Sequence, residues 1–79
     1  MASIRFFAAA AEAAAVDAAT IDAATIGALR AGLTTRYGAE FERVLGLCSL
    51  LVNGARATDD AAPLSGSDTV DVLPPFAGG

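Results

Sequence analysis

The chain has 79 residues, which is the size of one small domain. Hydrophobic residues make up 54% of it, but 20 of the 79 are alanine, so the core that it can build is small. It contains one cysteine, Cys48, and neither histidine nor lysine, which excludes a Cys/His zinc site, a Ser-His-Asp triad and Schiff-base chemistry. A net charge of −4 argues against binding nucleic acid through its phosphates. We therefore expect a protein without a side-chain active site, a metal site or a nucleic-acid partner.

The same inventory predicts where the protein is found. A single cysteine cannot form an internal disulfide, so nothing indicates an oxidising compartment. The first residues lack the basic and long apolar regions of a secretory signal. The apolar run over residues 6–16 is too short to span a bilayer. We expect a soluble cytoplasmic protein without a membrane partner.

Alternating residues at the start of the chain predict a first strand. Ile4 and Phe6 fall on one face of this strand, and Arg5 and Phe7 fall on the other. The alanine-rich stretch that follows, residues 8–15, favours a short helical turn or a loop, because a helix there would bury almost nothing.

The next segments predict a short strand and then the clearest helix in the chain. Two copies of the pentapeptide Asp-Ala-Ala-Thr-Ile are adjacent at residues 17–26. The first copy suits a strand with Ile21 facing inward, and Thr25 in the second copy is a good helix N-cap. Apolar residues then recur every three or four positions, and Gly38 supplies a left-handed stop. The members of this apolar stripe are Ile26, Leu29, Leu33 and Tyr37, and Phe41, Val44 and Leu45 suggest one further helical turn.

The second half of the chain predicts a hairpin. Residues 50–52 form a strand that leads into Asn53-Gly54, and residues 55–58 form the returning strand. Asn-Gly is a strong signal for a type I′ turn, because that turn needs a positive φ at both central positions.

A last strand is predicted over residues 69–73, and the Pro74-Pro75 pair ends it because proline cannot extend a ladder. Residues 1–73 therefore predict one α+β domain, a mixed sheet with a single main helix on one face. The predicted core consists of Ile4, Phe6, Ile21, Ile26, Leu29, Leu33, Leu50, Val52, Val70 and Val72.

The opposite face of the strands carries a predicted partner surface. Phe7, Leu51 and Leu73 all fall on the face away from the predicted core. With one main helix that face should stay uncovered, and apolar residues clustered on an open face indicate an interface.

Residues 74–79 form a predicted flexible tail. Pro74-Pro75 stiffens the exit from the sheet into polyproline II geometry, so the tail projects over about 18 Å. Gly78 and Gly79 lack a Cβ atom and fit a channel that admits only bare backbone. A slender end with a carboxylate is suited to insertion into a partner.

Taken together, these features resemble the ubiquitin-like sulfur carriers, and most closely the MoaD type, the small subunit of molybdopterin synthase. The likeness extends over nearly the whole chain and includes the β-grasp element order and the Asn53-Gly54 hairpin. Its most specific part is the ending Pro74-Pro75-Phe76-Ala77-Gly78-Gly79. Residues 8–15 depart from the family, which often has polar residues there.

The resemblance implies a chemical cycle at the carboxylate of Gly79. In the family, an ATP-dependent adenylyltransferase of the ubiquitin-activating type forms an acyl-adenylate, and a sulfur donor protein displaces AMP to leave a thiocarboxylate. The tail then enters the large subunit of molybdopterin synthase and donates sulfur to cyclic pyranopterin monophosphate. The chain would bind no stable cofactor and would not be an enzyme on its own. The implied contacts are Gly78 for passage of the tail, and Phe7, Leu51, Leu73, Pro74, Pro75, Phe76 and Ala77 for the partner.

Other functions remain open at this point. A sulfur carrier for thiazole or cysteine biosynthesis has the same fold, although thiazole-type carriers usually lack the double proline. A ubiquitin-like modifier would instead couple Gly79 to lysines of target proteins. An interaction domain with an inert tail would leave Pro74-Pro75 and the two glycines without an explanation.

Overall fold

A five-stranded mixed sheet organises residues 1–75, the part of the chain that the computed structural model describes. The strands lie in the order β2-β1-β5-β3-β4, with β1 and β5 parallel and the other neighbours antiparallel. Three helices complete the described part. The elements are β1 (Ala2–Phe6), α1 (Ala9–Ala14), β2 (Ala18–Ile21), α2 (Ile26–Tyr37), α3 (Ala39–Leu45), β3 (Ser49–Val52), β4 (Ala55–Ala57) and β5 (Thr69–Leu73).

This architecture confirms the predicted α+β class and the β-grasp arrangement. The antiparallel pair of β1 and β2 is joined to the β3-β4 hairpin through β5, which is parallel to β1 and antiparallel to β3. The helices α2 and α3 lie in the connection from β2 to β3. In the central pair, Ile4 is opposite Val70 and Phe6 is opposite Val72, and all four side chains are buried on the helical side of the sheet.

The main helix begins and ends close to the predicted residues. The Thr25 side chain accepts a hydrogen bond from the Ala28 amide at 3.1 Å, which caps α2 as expected. Gly38 ends the helix at a φ of 92°, but its ψ of −174° is extended, so the predicted left-handed helical stop is wrong in detail. The reason is that Gly38 also precedes α3 directly and must redirect the chain within one residue.

Three helices, rather than one, cover the core side of the sheet. The stretch expected to bury almost nothing contains α1, which buries Ala10 and Ala14. The short turn expected after α2 is a seven-residue helix, α3, which buries Phe41 and Leu45. Alanine at the contacts of α1 lets the helix pack closely, and this compensates for its small side chains.

An aromatic cluster joins the sheet to α2 and α3. The ring of Phe6 meets the rings of Tyr37 and Phe41 edge to face, with centroids 5.6 Å apart in both pairs. Nine of the ten predicted core residues are buried, and Val52 is the exception, because it lies at the end of β3 beside the hairpin turn and is only half-buried.

The hairpin turn has the predicted geometry and an additional role. Asn53 and Gly54 have φ values of 51° and 87°, as a type I′ turn requires. The Asn53 side chain also donates to Asp68 Oδ1 at 2.8 Å and accepts from the Thr69 amide at 3.0 Å. Hydrogen bonds from the Ser65 amide and from Asn53 hold the pKa of the Asp68 carboxyl below its usual value. We call the contact between Asn53 and Asp68 the brace, and it weakens only at acidic pH, where the carboxyl is protonated.

Leu33→Ala should lower the free energy of unfolding by about 2–5 kcal/mol, because Leu33 is fully buried and its truncation leaves a cavity. The matched control is Leu47→Ala, which should change stability by less than about 0.5 kcal/mol because Leu47 is 62% exposed. Urea unfolding curves measure both. A loss below about 0.5 kcal/mol for Leu33→Ala would contradict the packing of α2.

The backbone before α1 is strained. Ala8 has a φ of 50° and a ψ of −124°, a combination that favours glycine. Ala8→Gly should therefore raise the free energy of unfolding by about 1 kcal/mol, since it removes about 1–3 kcal/mol of strain and adds about 0.5–1 kcal/mol of entropic cost. Ala11→Gly, inside α1, should lower it by about 1 kcal/mol. Equal destabilisation of both variants in thermal melts would show that Ala8 is not strained.

Candidate partner surface and tail root

The sheet has one open face, which lies opposite the core. All three helices contribute buried residues to the cluster on the other side. On the open face of the three central strands, the side chains at alternate positions are exposed or half-buried: Ser3, Arg5, Ser49, Leu51, Thr69, Asp71 and Leu73. We call this set the open face.

An apolar strip crosses the open face at the end from which the tail leaves. Phe7 follows β1 directly, and its amide donates to the carbonyl of Val72 at 3.2 Å, so Phe7 continues the strand beside Leu73. Leu73 is opposite Ser49 on β3, which places Leu51 at the diagonal position. Phe7 is 37% exposed, and the two leucines are half-buried. The register thus brings together the three residues that the sequence assigned to a partner surface.

A charged pair stands beside this strip. Arg5 and Asp71 are direct neighbours across β1 and β5, and two hydrogen bonds of 2.6 and 2.8 Å join the guanidinium to both carboxylate oxygens. The pair raises the pKa of Arg5 and keeps the guanidinium charged. The Cζ atom of Arg5 also lies 5.9 Å from the centre of the Phe7 ring, within the range of a cation–π interaction. Asp71 and Phe7 therefore both orient Arg5.

A second apolar feature lies at the root of the tail, on the helical side. It is a groove of about 360 Å³, and Leu47 on its wall is 62% exposed. No pattern in the sequence could have identified this groove, because its walls come from three stretches that are far apart along the chain. The lining residues are Ala8, Ala9, Arg43, Val44, Leu47, Pro74 and Pro75.

The chemical end of the predicted tail lies outside the described residues. This applies to Phe76, Ala77, Gly78 and Gly79, so their predicted roles stay predictions. What the structure places is the root of the tail: β5 ends at Leu73, Pro74 is half-buried and Pro75 is exposed.

Several polar side chains of residues 1–75 make contacts that stabilise the fold. The Cys48 thiol is partly buried and donates to the Val44 carbonyl at 3.2 Å, and burial raises its pKa, which suppresses the reactive thiolate. Asp60 pairs with Arg30 at 3.2 Å. Within this range no three His, Cys, Asp or Glu side chains are grouped to hold a metal ion, and no helix has the length and apolar character to cross a membrane.

Several solved structures share this fold over nearly their full length. Small archaeal modifier protein 1 from Haloferax volcanii is 26% identical, with a TM-score of 0.82 and coverage of 99% of this chain and 98% of that chain. A chain from the complex of subunits 1 and 2 of molybdopterin-converting factor from Helicobacter pylori is 28% identical, with a TM-score of 0.76 and coverage of 99% and 97%. A putative molybdopterin converting factor subunit 1 from Pyrococcus furiosus, 22% identical with a TM-score of 0.83 and coverage of 95% and 97%, supports the fold alone.

A search of curated proteins finds no match to this sequence. The family model for the ThiS family, in contrast, matches residues 4–79, which is nearly the whole chain. The tail root and all of the open face except Ser3 lie within the matched range. The chain therefore belongs to the ThiS family, and its identification as a ubiquitin-like sulfur carrier of the β-grasp fold is confirmed.

Proposed function

We propose that this chain is the sulfur carrier subunit of molybdopterin synthase and that its reactive group is the carboxylate of Gly79. The observation that carries the proposal is the apolar strip of Phe7, Leu73 and Leu51, which runs to the point where Pro74-Pro75 leaves the sheet. A partner that binds this strip is positioned to receive the tail at the same time.

The proposed chemistry begins with activation of the carboxylate. With a pKa of about 3.5, a terminal carboxylate is ionised at neutral pH and is a poor electrophile. An adenylyltransferase of the ubiquitin-activating type therefore transfers AMP from ATP to Gly79 and releases pyrophosphate. Sulfur at the oxidation level of sulfide, provided by a sulfur donor protein, then attacks the acyl carbon and displaces AMP to leave a thiocarboxylate. Gly78 lets the tail pass through a narrow channel to these sites.

Transfer of the sulfur takes place in the large subunit. The thiocarboxylate sulfur attacks cyclic pyranopterin monophosphate, and water then cleaves the bond between this sulfur and the acyl carbon of Gly79, which restores the carboxylate. Two such transfers supply the two sulfur atoms of the dithiolene. The catalytic side chains belong to the partners, which agrees with a chain that has neither histidine nor lysine. In this proposal the carrier is a co-substrate rather than an enzyme, it retains no cofactor, and it acts in the cytoplasm.

The proposed interface uses both the apolar and the charged side chains of the open face. Phe7, Leu51 and Leu73 act as apolar anchors, which usually dominate the energy of an interface. Arg5 and Asp71, already paired, present a fixed charge pattern at the edge of the strip. Pro74, Pro75, Phe76 and Ala77 continue the contact along the tail.

Protein modification is the second candidate function. It is favoured by the likeness to small archaeal modifier protein 1, at 26% identity over nearly the whole of both chains. The same activated Gly79 would then form an amide with a lysine of a target protein. A carrier for thiazole or cysteine biosynthesis also fits the family, and Pro74-Pro75 favours the pterin pathway over it.

Phe7→Ala should weaken binding to the large subunit by about tenfold or more, because it removes an aromatic anchor from the strip. The melting temperature should stay nearly unchanged, since Phe7 is 37% exposed. The matched control is Val16→Ala, a side chain 41% exposed in the connection between α1 and β2, which should affect neither quantity. Calorimetric titration and thermal melts provide the measurements. A melt that collapses together with binding would show that Phe7 belongs to the core.

Deletion of Gly79 should abolish thiocarboxylate formation, because the new terminal carboxylate lies about 3 Å short of the adenylation site. A misplacement of 1 Å can already cost about 100-fold when geometry controls the step. Gly78→Val should block passage of the tail, and one residue added after Gly79 should bury the acyl carbon in an amide. Folding should survive all three changes.

The assay combines the chain with the activating enzyme, ATP and a sulfur source, and reads the intact mass for exchange of one oxygen for sulfur. Val16→Ala again serves as the control and should react at the wild-type rate. Sulfuration of the chain lacking Gly79 at that rate would contradict the carrier proposal. Conjugates to target lysines without any sulfurated chain would favour the modifier instead.

A further inference from the structure

Four of the five arginine side chains are held by other groups of the same chain. Within residues 1–75, each of these four guanidinium groups binds a carboxylate or a backbone carbonyl. The pairs are Arg5 with Asp71, Arg30 with Asp60, Arg43 with Glu40, and Arg36 with the carbonyl oxygen of Thr20. The fifth arginine, Arg56, is exposed, and its guanidinium has no hydrogen bond or ion pair within that range.

The strand register places Arg56 beside the apolar strip. Arg56 lies on β4 directly opposite Leu51 on β3, so the two side chains share one side of the sheet. The next residue, Ala57, packs against the core instead, as alternation along a strand requires. Leu51 is in turn opposite Asp71 on β5. Arg56 therefore extends this row of side chains by one strand, beyond the open face.

The sheet does not supply a carboxylate for Arg56. Asp71 is the one acidic residue that the five described strands present on this side. Both of its carboxylate oxygens already accept hydrogen bonds from Arg5. Strand β3 also lies between β5 and β4, so their backbones are about 10 Å apart, and Leu51 stands between the two charged side chains.

The distribution of charge favours an acidic partner on this side of the sheet only. The chain has five arginines and nine acidic residues, a net charge of −4. The strands present Arg5, Arg56 and Asp71 on this side, which gives it a net charge of +1. The other three arginines and eight acidic residues leave a net charge of −5 on the rest of the chain. A carboxylate of a partner is therefore attracted to this side and repelled by the others.

We propose that the protein that binds the apolar strip places a carboxylate on the guanidinium of Arg56. A partner that covers Leu51 also approaches Arg56, its cross-strand neighbour, and removes water from the guanidinium. Loss of water from a cation is costly unless an acceptor replaces it. A carboxylate is well suited, because a guanidinium can donate two parallel hydrogen bonds to it. The proposal rests on the proposed binding of the large subunit to the strip, and it adds an acidic residue on the partner.

The test is a titration of the purified large subunit with the full chain and its variants at low salt. Arg56→Gln should weaken binding by about fivefold to tenfold, mainly by slowing association, because a charge at the rim of an interface steers the encounter. Arg56→Glu should weaken binding by about 100-fold or more, since two like charges then face each other. Arg56→Lys retains the charge and should lose less than about threefold.

Arg36→Gln is the matched control. It removes the same charge at β2, the opposite edge strand, and should change the affinity by less than about twofold because of the distance. The difference between the wild type and Arg56→Gln should shrink when salt is raised to about 1 M. The melting temperatures of the Arg56 variants should match that of the wild type, because an exposed side chain without partners has no contact to lose.

Four results would overturn the proposal. Equal losses for Arg56→Gln and Arg36→Gln would show that only the total charge matters. Wild-type affinity of Arg56→Gln, where Phe7→Ala weakens binding, would show that the partner has no carboxylate at this position. Tighter binding of Arg56→Leu would show that the partner continues the apolar strip there. Self-association of Arg56→Gln with unchanged affinity would show that the arginine only protects the edge of β4.

Failure of the proposed function gives a different result. If the wild-type chain does not bind the large subunit, the proposed function is wrong, and the same variants are then titrated with the adenylyltransferase. The same order of affinities with that protein would support the carboxylate contact at Arg56. Equal affinities of the wild type, Arg56→Gln and Arg56→Glu would overturn it.

Discussion

The parallel pairing of β1 with β5 is the constraint on which the rest of this molecule depends. It joins the first and last strands in the centre of the sheet, so every other element is added at their sides or across one face. Alternation along the two strands then places their side chains in turn on the core side and on the open face of the sheet. Ile4, Phe6, Val70 and Val72 build the core, while Arg5 and Asp71 form their bidentate pair on the open face. One register therefore determines both the packing of the core and the pattern of the partner surface.

The same pairing relates the surface to the tail. Because the two strands run in the same direction, Phe7 and Leu73 lie side by side at the same end of the sheet. The apolar strip is therefore located where the chain leaves the sheet through Pro74. The helical side contributes a second apolar feature at this point, the groove beside Leu47. Recognition of the body and delivery of the tail are thus concentrated at one end of the molecule, whereas the brace of Asn53 and Asp68 and the nitrogen of Met1 lie at the other end.

Local signals in the sequence were sufficient for much of this arrangement. Thr25 and the apolar stripe defined α2, and Asn53-Gly54 defined the hairpin, because caps and turns depend on a few adjacent residues. The packing of α1 was not predictable in this way, since a run of alanine shows no contrast between its faces. The pairing of Arg5 with Asp71 joins positions 66 residues apart and needs a strand register that periodicity alone does not supply. The groove at the tail root could not be predicted from the sequence for a similar reason, because residues far apart along the chain form it.

The central position of β5 also has a mechanical consequence. The strand that carries the tail is hydrogen-bonded to β1 on one side and to β3 on the other. A force applied through Pro74 and Pro75 acts along β5, so it loads both ladders in shear and must break their bonds together. An edge strand such as β4, which has one neighbour, could be peeled away one bond at a time. An unfolding enzyme that pulls on the C-terminal end of this chain therefore acts on a strand that resists unfolding more strongly than an edge strand does.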